Sequence, residues 1–256
     1  MFCGCGPHER VMSMDWIIKI AAILFIFAVL KAFVYKLFFR DEIRAALERD
    51  PAATSQMAVI FTYPGLHALL YHRIAHALYL WRWLLIPRLV SQAGRWLTGI
   101  EIHAGAQIGR GLFIDHGMGV VIGETTVIGN NVTLFQGVTL GGTGKQKGKR
   151  HPTLGNNVVV GTGACVLGDI HVGDNVSIGA NAVVVRNVPA NSTVVGVPGR
   201  ITSREGKKVH GINLDYTSLP DPLTQALSKL QHEIDKIEGE LKDFDAGHKD
   251  KEHKKE

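Results

Sequence analysis

Residues 100–142 read IEIHAGAQIGRGLFIDHGMGVVIGETTVIGNNVTLFQGVTLGG, and within them an aliphatic side chain returns at every sixth position. A first register runs Ile102, Ile108, Ile114; a second runs Ile122, Ile128, Leu134, Leu140; a third continues downstream as Leu154, Val160, Val166, Val172, Ile178, Val184. Glycine follows eight of these residues, at 109, 123, 129, 141, 155, 161, 173 and 179. Strands alternate with a period of two and helices with 3.6, so a strict period of six belongs to a chain that turns a corner after each short strand. Glycine suits such a corner because a side chain there would meet the next turn of chain. The reading is mostly β: a triangular solenoid over residues 100–202, a left-handed parallel β-helix in which each coil stacks its inward aliphatic on the coil below.

The repeat is interrupted once by polar sequence. Leu140 and Leu154 are fourteen residues apart where two further steps would give twelve, and the interval reads GGTGKQKGKRHPT. A loop is expected to leave the wall there, and loops on a rigid scaffold are where function concentrates.

Outward from the solenoid the pattern becomes helical on both sides. Residues 41–99 read as a helical subdomain: DEIRAALERDPA closes one helix at Asp50-Pro51, and Leu66 to Trp83 forms a second between Pro64-Gly65 and Pro87. Further upstream, residues 1–40 hold a strongly apolar segment, Trp16 to Phe39, about long enough to enter a bilayer. No small-x-small cleavage site follows it, and the positive charges continue on its C-terminal side, which argues against a secretory signal. Downstream, residues 203–245 read as a linker and a heptad helix, with Leu223, Leu227, Leu230, Ile234, Ile237, Leu241 and Phe244 spaced four and three apart. Residues 246–256 read as a disordered charged tail.

Composition narrows the setting. The net charge is +5, but Lys and Arg are scattered, clustering only near the apolar segment and in the last residues, so no nucleic-acid partner is expected. Three cysteines, Cys3, Cys5 and Cys165, give no paired framework, and Cys165 lies in an apolar repeat run as core; a reducing cytoplasm fits. His72 and His76 stand at i, i+4, yet no acidic third ligand is suitably spaced, so no metal is expected.

The chemistry is in the corners. Asp115 and His116 follow the inward Ile114, and Glu101 stands fifteen residues earlier in GIEIHAG. Three hexapeptides make about eighteen residues per coil, so Glu101 falls on the neighbouring level, within reach of the His116 ring. A carboxylate that fixes one imidazole nitrogen leaves the other free as a base for an alcohol, with the substrate supplying the hydroxyl.

These motifs carry a resemblance. RDPA at 49–52, GLHAL at 65–69, HRIAH at 72–76, IEIHAGAQIGRGLFIDHG at 100–117, VVIGET at 120–125, VTLGGTGK at 138–145, KRHP at 149–152 and GVPGR at 196–200 are similar to the bacterial serine acetyltransferases, in order, over residues 39–202. GVPGR is shared widely; FIDHG with GGTGK and KRHP is specific. The resemblance implies an acyltransferase moving acetyl from acetyl-CoA to L-serine, the first step of cysteine biosynthesis, with no cofactor beyond that co-substrate. It implies His116 as base and Glu101 as its orienting carboxylate, where many members have Asp. It further implies Asp50 and Asp115 around the serine ammonium, Arg150 on the serine carboxylate, and His151 beside the reacting hydroxyl. Acetyl-CoA is implied against Gly142, Thr143, Thr162 and Ala180, with Thr162 replacing a frequent Ala. A homotrimer and feedback inhibition by cysteine are implied as well. Many members bind cysteine synthase through a C-terminal isoleucine; Lys254-Lys255-Glu256 argues against that complex here.

Three rivals are weighed against this reading. A hexapeptide acetyltransferase acting on a sugar hydroxyl would use the same base and donor, but sugars lack the ammonium and carboxylate that Asp50, Asp115 and Arg150 address. A membrane scaffold without catalysis rests on the apolar segment alone. A zinc hydratase on the same fold needs three metal histidines meeting across subunits.

Overall fold

The computed structural model of the chain describes residues 14–144, 147–204 and 229–237. Five helices come first: α1 (Met14–Phe38), α2 (Arg40–Arg49), α3 (Gln56–Thr62), α4 (Pro64–Leu80) and α5 (Leu85–Thr98). Short strands follow, namely β1 (Glu101–Ile102), β2 (Gln107–Ile108), β3 (Phe113–Ile114), β4 (Val121–Ile122), β5 (Val127–Ile128), β6 (Thr133–Leu134), β7 (Thr139–Gly141) and β8 (Thr153–Leu154). The series continues with β9 (Val159–Val160), β10 (Cys165–Leu167), β11 (His171–Val172), β12 (Ser177–Ile178), β13 (Val183–Val184), β14 (Ser192–Val195) and β15 (Arg200–Arg204).

Up to β13 every third strand pairs, giving three faces. The first is β1-β4-β7-β10-β13, the second β2-β5-β8-β11, the third β3-β6-β9-β12-β14-β15. All pairings are parallel except β14 with β15. The residues brought into register are the period-six aliphatics: Ile102 faces Ile122, Ile122 faces Leu140, Leu140 faces Val166, and Val166 faces Val184. These side chains are buried and form one continuous core. Corners repeat as well: Asn157, Asn175 and Asn191 all adopt left-handed backbone, and their side chains bond in series at 3.0 Å.

The spacing anomalies resolve as corner insertions. The steps from Ile114 to Ile122 and from Leu140 to Leu154 each join strands on successive faces, so they carry two and eight residues beyond the usual six. The polar loop therefore replaces one step rather than two.

Arg49 ties the helices to the solenoid. It is buried at the end of α2, and its Nη1 donates to the Gly111 carbonyl, the Val132 carbonyl and Thr133 Oγ1 at 3.1–3.2 Å. Gly65, in the first turn of α4, makes the second tie: a Cβ there would lie 2.4 Å from the Ile114 carbonyl oxygen, so only glycine lets the helix sit so close to β3.

Several expectations need correction. The stretch 41–99 holds four helices, not two: Ser55 caps a short α3 ahead of Pro64, and Pro87 lies inside the first turn of α5, where a missing N–H costs nothing, rather than ending α4. Cys165 is half-buried beside the inward Val166, since alternation along β10 turns it outward. Residues 229–237 are helical with Leu230, Ile234 and Ile237 exposed; Ser203 and Arg204, expected to open the linker, complete β15 instead, while the rest of the linker and proposed heptad helix and the charged tail lie outside the described residues.

Candidate active site

Two polar clusters occupy different corners of the solenoid. Both border the first face.

The first cluster lies where the third face turns into the first, at the corner with two extra residues. His116 has φ of 55°, a left-handed conformation uncommon outside glycine, and the turn is closed by a bond from the Gly117 N–H to the Asp115 carbonyl at 2.6 Å. The His116 side chain is 72% exposed, and its Nε2 lies 3.8 Å from Asp115 Oδ2. Asp50, the C-cap of α2, faces the same corner: its Oδ1 accepts from the Ala52 N–H at 2.7 Å and its Oδ2 accepts from the Tyr63 hydroxyl at 2.5 Å. Both carboxylate oxygens are thereby fixed in direction. Burial, seconded by the Asp50 charge, pushes the Asp115 carboxyl up, although His116 pulls the other way. Burial and the bond to Asp50 push Tyr63 up to about 12, so it stays a neutral donor. Glu101 lies under this corner, since the Gly119 N–H bonds to the Gly99 carbonyl and a Cβ on Gly117 would strike Ile100. Its carboxylate, however, pairs with Arg95 at 3.2 Å, and no hydrogen bond joins it to His116 among the described residues.

The second cluster lies where the first face turns into the second, under the polar loop. Glu124 Oε2 accepts from Arg150 Nη2 at 2.6 Å, and that bond holds the Glu124 carboxyl below its ordinary range. Thr125 organises the rest: its Oγ1 accepts from the backbone N–H of Arg150 and of His151, and its own N–H donates to His151 Nδ1 at 3.2 Å. A ring nitrogen that accepts carries no proton, so His151 holds its hydrogen on Nε2. Burial, then the Arg150 charge, lowers the His151 pKa and keeps the ring neutral. Gly123 makes room for that ring, since a Cβ there would be 2.0 Å from His151 Cδ2. Lys149 donates to the Thr125 and His151 carbonyls at 2.8 and 2.6 Å, pinning the loop's return. His103, half-buried beside Glu124 and Arg150, accepts the Gly105 N–H on Nδ1 at 3.0 Å and has its pKa lowered by burial.

The expected acetyl-CoA residues divide the same way. Gly142 and Thr143 begin the polar loop at the second corner. Thr162 and Ala180 stand higher on the His116 corner, on a ladder running from the Met118 carbonyl through those of Gln136 and Thr162. His72 and His76 are packed in α4: His76 Nδ1 bonds to the Ala104 carbonyl at 2.7 Å, and burial pushes His72 down to about 3.

Sequence reasoning missed Tyr63, His103, Glu124 and Thr125 as site residues. Glu124 and Thr125 were visible in VVIGET, the corner one coil below the polar loop, where a charged side chain interrupts an apolar wall. Tyr63 carried no signal beyond preceding Pro64.

Comparison with known proteins bears on what these clusters do. Residues 151–186 match the family described as bacterial transferase hexapeptide (six repeats). A serine acetyltransferase of Staphylococcus epidermidis is 54% identical over 205 residues, covering 80% of this chain and 96% of the relative. The soybean serine acetyltransferase complexed with serine superposes with a TM-score of 0.62 at 43% identity, covering 63% of this chain and 66% of that one. A Brucella abortus serine acetyltransferase in complex with coenzyme A gives 0.63 at 42% identity, covering 65% and 67%.

Proposed function

Because the chain belongs to the serine acetyltransferase family, whose reaction moves an acetyl group from acetyl-CoA to the serine hydroxyl, we propose that its two corner clusters are halves of one active site assembled between neighbouring chains of a homotrimer. The observation that carries this is the separation of the halves. His116 projects into solvent on one corner, while Arg150 and His151 sit on another, with the first face between them. A left-handed solenoid, as the hexapeptide repeat implies, presents these corners to adjacent copies.

In the assembled site the serine ammonium lies between Asp50 and Asp115, and the N–H groups of Arg150 not engaged by Glu124 take the serine carboxylate. The free imidazole nitrogen of His116 accepts the hydroxyl proton as the serine oxygen attacks the thioester carbonyl. The tetrahedral intermediate places negative charge on the former carbonyl oxygen, for which the Nε2–H of a neutral His151 is a suitable donor. Collapse breaks the C–S bond, the His116 imidazolium returns its proton to the thiolate, and O-acetyl-L-serine and CoA leave. Glu101 steadies the imidazolium once it releases Arg95, an exposed pair weak enough to exchange. Gly142 and Thr143 of one chain, with Thr162 and Ala180 of the next, flank the acetyl-CoA groove. Cysteine, sharing serine's ammonium and carboxylate, is expected to compete at the same charges. The reaction takes place in the cytoplasm.

A shared site makes a specific demand on mixed trimers. Co-expressed His116→Ala and Arg150→Leu chains, each inactive alone, are expected to recover about a quarter of normal activity, because a quarter of randomly assembled interfaces join an intact His116 to an intact Arg150. A site contained within one chain would recover none. Comparing serine with sugar acceptors in a CoA-release assay tests the acceptor, and turnover with a sugar but not with serine would overturn the assignment.

Tyr63 is expected to act through Asp50. Tyr63→Phe removes a hydrogen bond to a charged group, worth about 1.5–3 kcal/mol, and should raise the serine KM by roughly ten- to a hundredfold with the acetyl-CoA KM unchanged. An unaltered serine KM, beside a raised one in Asp50→Asn, would show that Tyr63 does not position the carboxylate.

A further inference from the structure

We propose that α1 crosses a lipid bilayer and tethers the catalytic body to its cytoplasmic face. The stretch Trp16–Phe38 has a mean hydropathy of 2.6 over its most apolar part, and no residue of that part is buried. Five consecutive residues, Ile23, Leu24, Phe25, Ile26 and Phe27, are each 62–70% exposed. Five successive positions cover more than a full turn, so the helix is apolar and bare on every side. Helices that lie flat on a membrane or on a protein surface have a polar face; one that is apolar all round belongs inside a core or across a bilayer. No core among the described residues receives it.

Its dimensions fit. At about 1.5 Å per residue, the stretch ahead of Lys31 spans roughly 22 Å, and the outward-facing Phe33, Leu37 and Phe38 carry the apolar length of the 23 residues to roughly 35 Å, against a hydrocarbon thickness of about 30 Å. The C-terminal end is seated in the protein: Tyr35 and Phe39 are buried against the helical subdomain, and Lys31 Nζ is held over the Phe61 ring and within 3.3 Å of His67 Nε2. On its outer side the same end keeps Phe33, Leu37 and Phe38 exposed, so the apolar surface continues to the foot of the helix. A cleaved signal is incompatible with this seating, because removing α1 would take Tyr35 out of the body's core.

The flanking charges set the orientation. Lys31, Lys36, Arg40 and Arg44 gather at the body end, whereas Arg10 and Lys19 are the cations at the other. An excess of Lys and Arg beside a span stays on the cytoplasmic side, which places the catalytic body where acetyl-CoA is made and used. Lys19 and Lys36 lie near the two ends, where long side chains reach the headgroups.

The test uses the full chain. Membranes from expressing cells are washed with high salt and with alkaline carbonate, then floated on a sucrose gradient. The protein is expected to float with lipid after both washes, and added protease is expected to spare the body in intact spheroplasts. The double substitution L24K/F27K is expected to shift most of the protein to the soluble fraction with serine-dependent CoA release unchanged, since neither residue belongs to the site. Flotation separates lipid-bound protein from an aggregate, which sinks. A parent chain that stays at the bottom, washes off in salt, or behaves as a soluble oligomer held together by α1 would overturn the proposal, as would a charged variant that still floats. None of these outcomes touches the acetyltransferase reading, which is measured separately by CoA release.

Discussion

Replacing His116 with alanine is expected to lower kcat by on the order of 10³-fold, the range over which a positioned general base contributes, while acetyl-CoA binding stays within a factor of about two. The selectivity of the loss is the informative part. The His116 side chain is largely exposed, so its removal leaves no cavity, and the melting temperature should hold. The left-handed backbone at 116 is also relieved by a smaller side chain only slightly, so the corner that carries Asp115 stays in place. A thiol-reactive assay of CoA release, run beside calorimetric titration with CoA, separates chemistry from binding. Activity within tenfold of normal would remove His116 from the role of base. Glu101→Gln should cost much less, because the imidazole loses an orienting charge and not the base itself.

The second large effect concerns stability. Arg49→Leu is expected to destabilise the fold by about 3 kcal/mol, because a buried cation's three acceptors lose their donor together. Those acceptors are neutral oxygens from two successive coils, the carbonyls of Gly111 and Val132 and the hydroxyl of Thr133. Burial pushes the guanidinium down to about 10 without making it neutral at physiological pH. The substitution therefore cuts one fastener between α2 and the solenoid. A fall in melting temperature of roughly 10 °C is expected for a chain of this size. Asp50 is the next residue, so the serine KM should rise in whatever protein remains folded, with Arg49→Lys recovering part of both losses. A shift in melting temperature below about 2 °C would mean that water replaces the guanidinium at no cost.

The solenoid was legible in the sequence because its determinant is local and periodic: one inward aliphatic per face, repeated at the spacing of the faces themselves. What periodicity could not supply was the bookkeeping of corners. Fourteen residues between Leu140 and Leu154 look like two steps plus two, yet pairing places eight extra residues in a single corner, because the next face is fixed by which coil lies underneath. Pro87 shows a similar limit. Proline ends one helix or begins another equally well, and only the close packing of α5 on α4, through Pro87, Thr98 and a Gly94 set against Tyr71, decides between them. At the site, Asp115 and His116 stood out as a polar pair beside an inward isoleucine. Tyr63 did not, since its hydroxyl reaches Asp50 only after α3 and α4 fold back on Gly65. Glu101 was placed on the right level by spacing, but the choice of Arg95 as its partner depends on which way the last turn of α5 faces, and a helical reading of 41–99 does not fix that.

The antiparallel strand β15 has a consequence for how the molecule behaves in a crowded cell. A stack of parallel coils has two raw ends, each offering a row of unpaired peptide groups to any strand that drifts past. Here α5 packs under β1 at one end. At the other, β15 folds back on β14, and the Gly196 carbonyl and Gly199 N–H bond to Val183 on the last strand of the first face. The repeat is thus sealed like a capped filament. Duplicating a whole coil of three hexapeptides would lengthen the stack, but the antiparallel β15 gives a further parallel coil no strand to continue on the third face. Mutations that fray residues 196–204 would expose a growing tip, and their phenotype should be fibre formation before loss of catalysis.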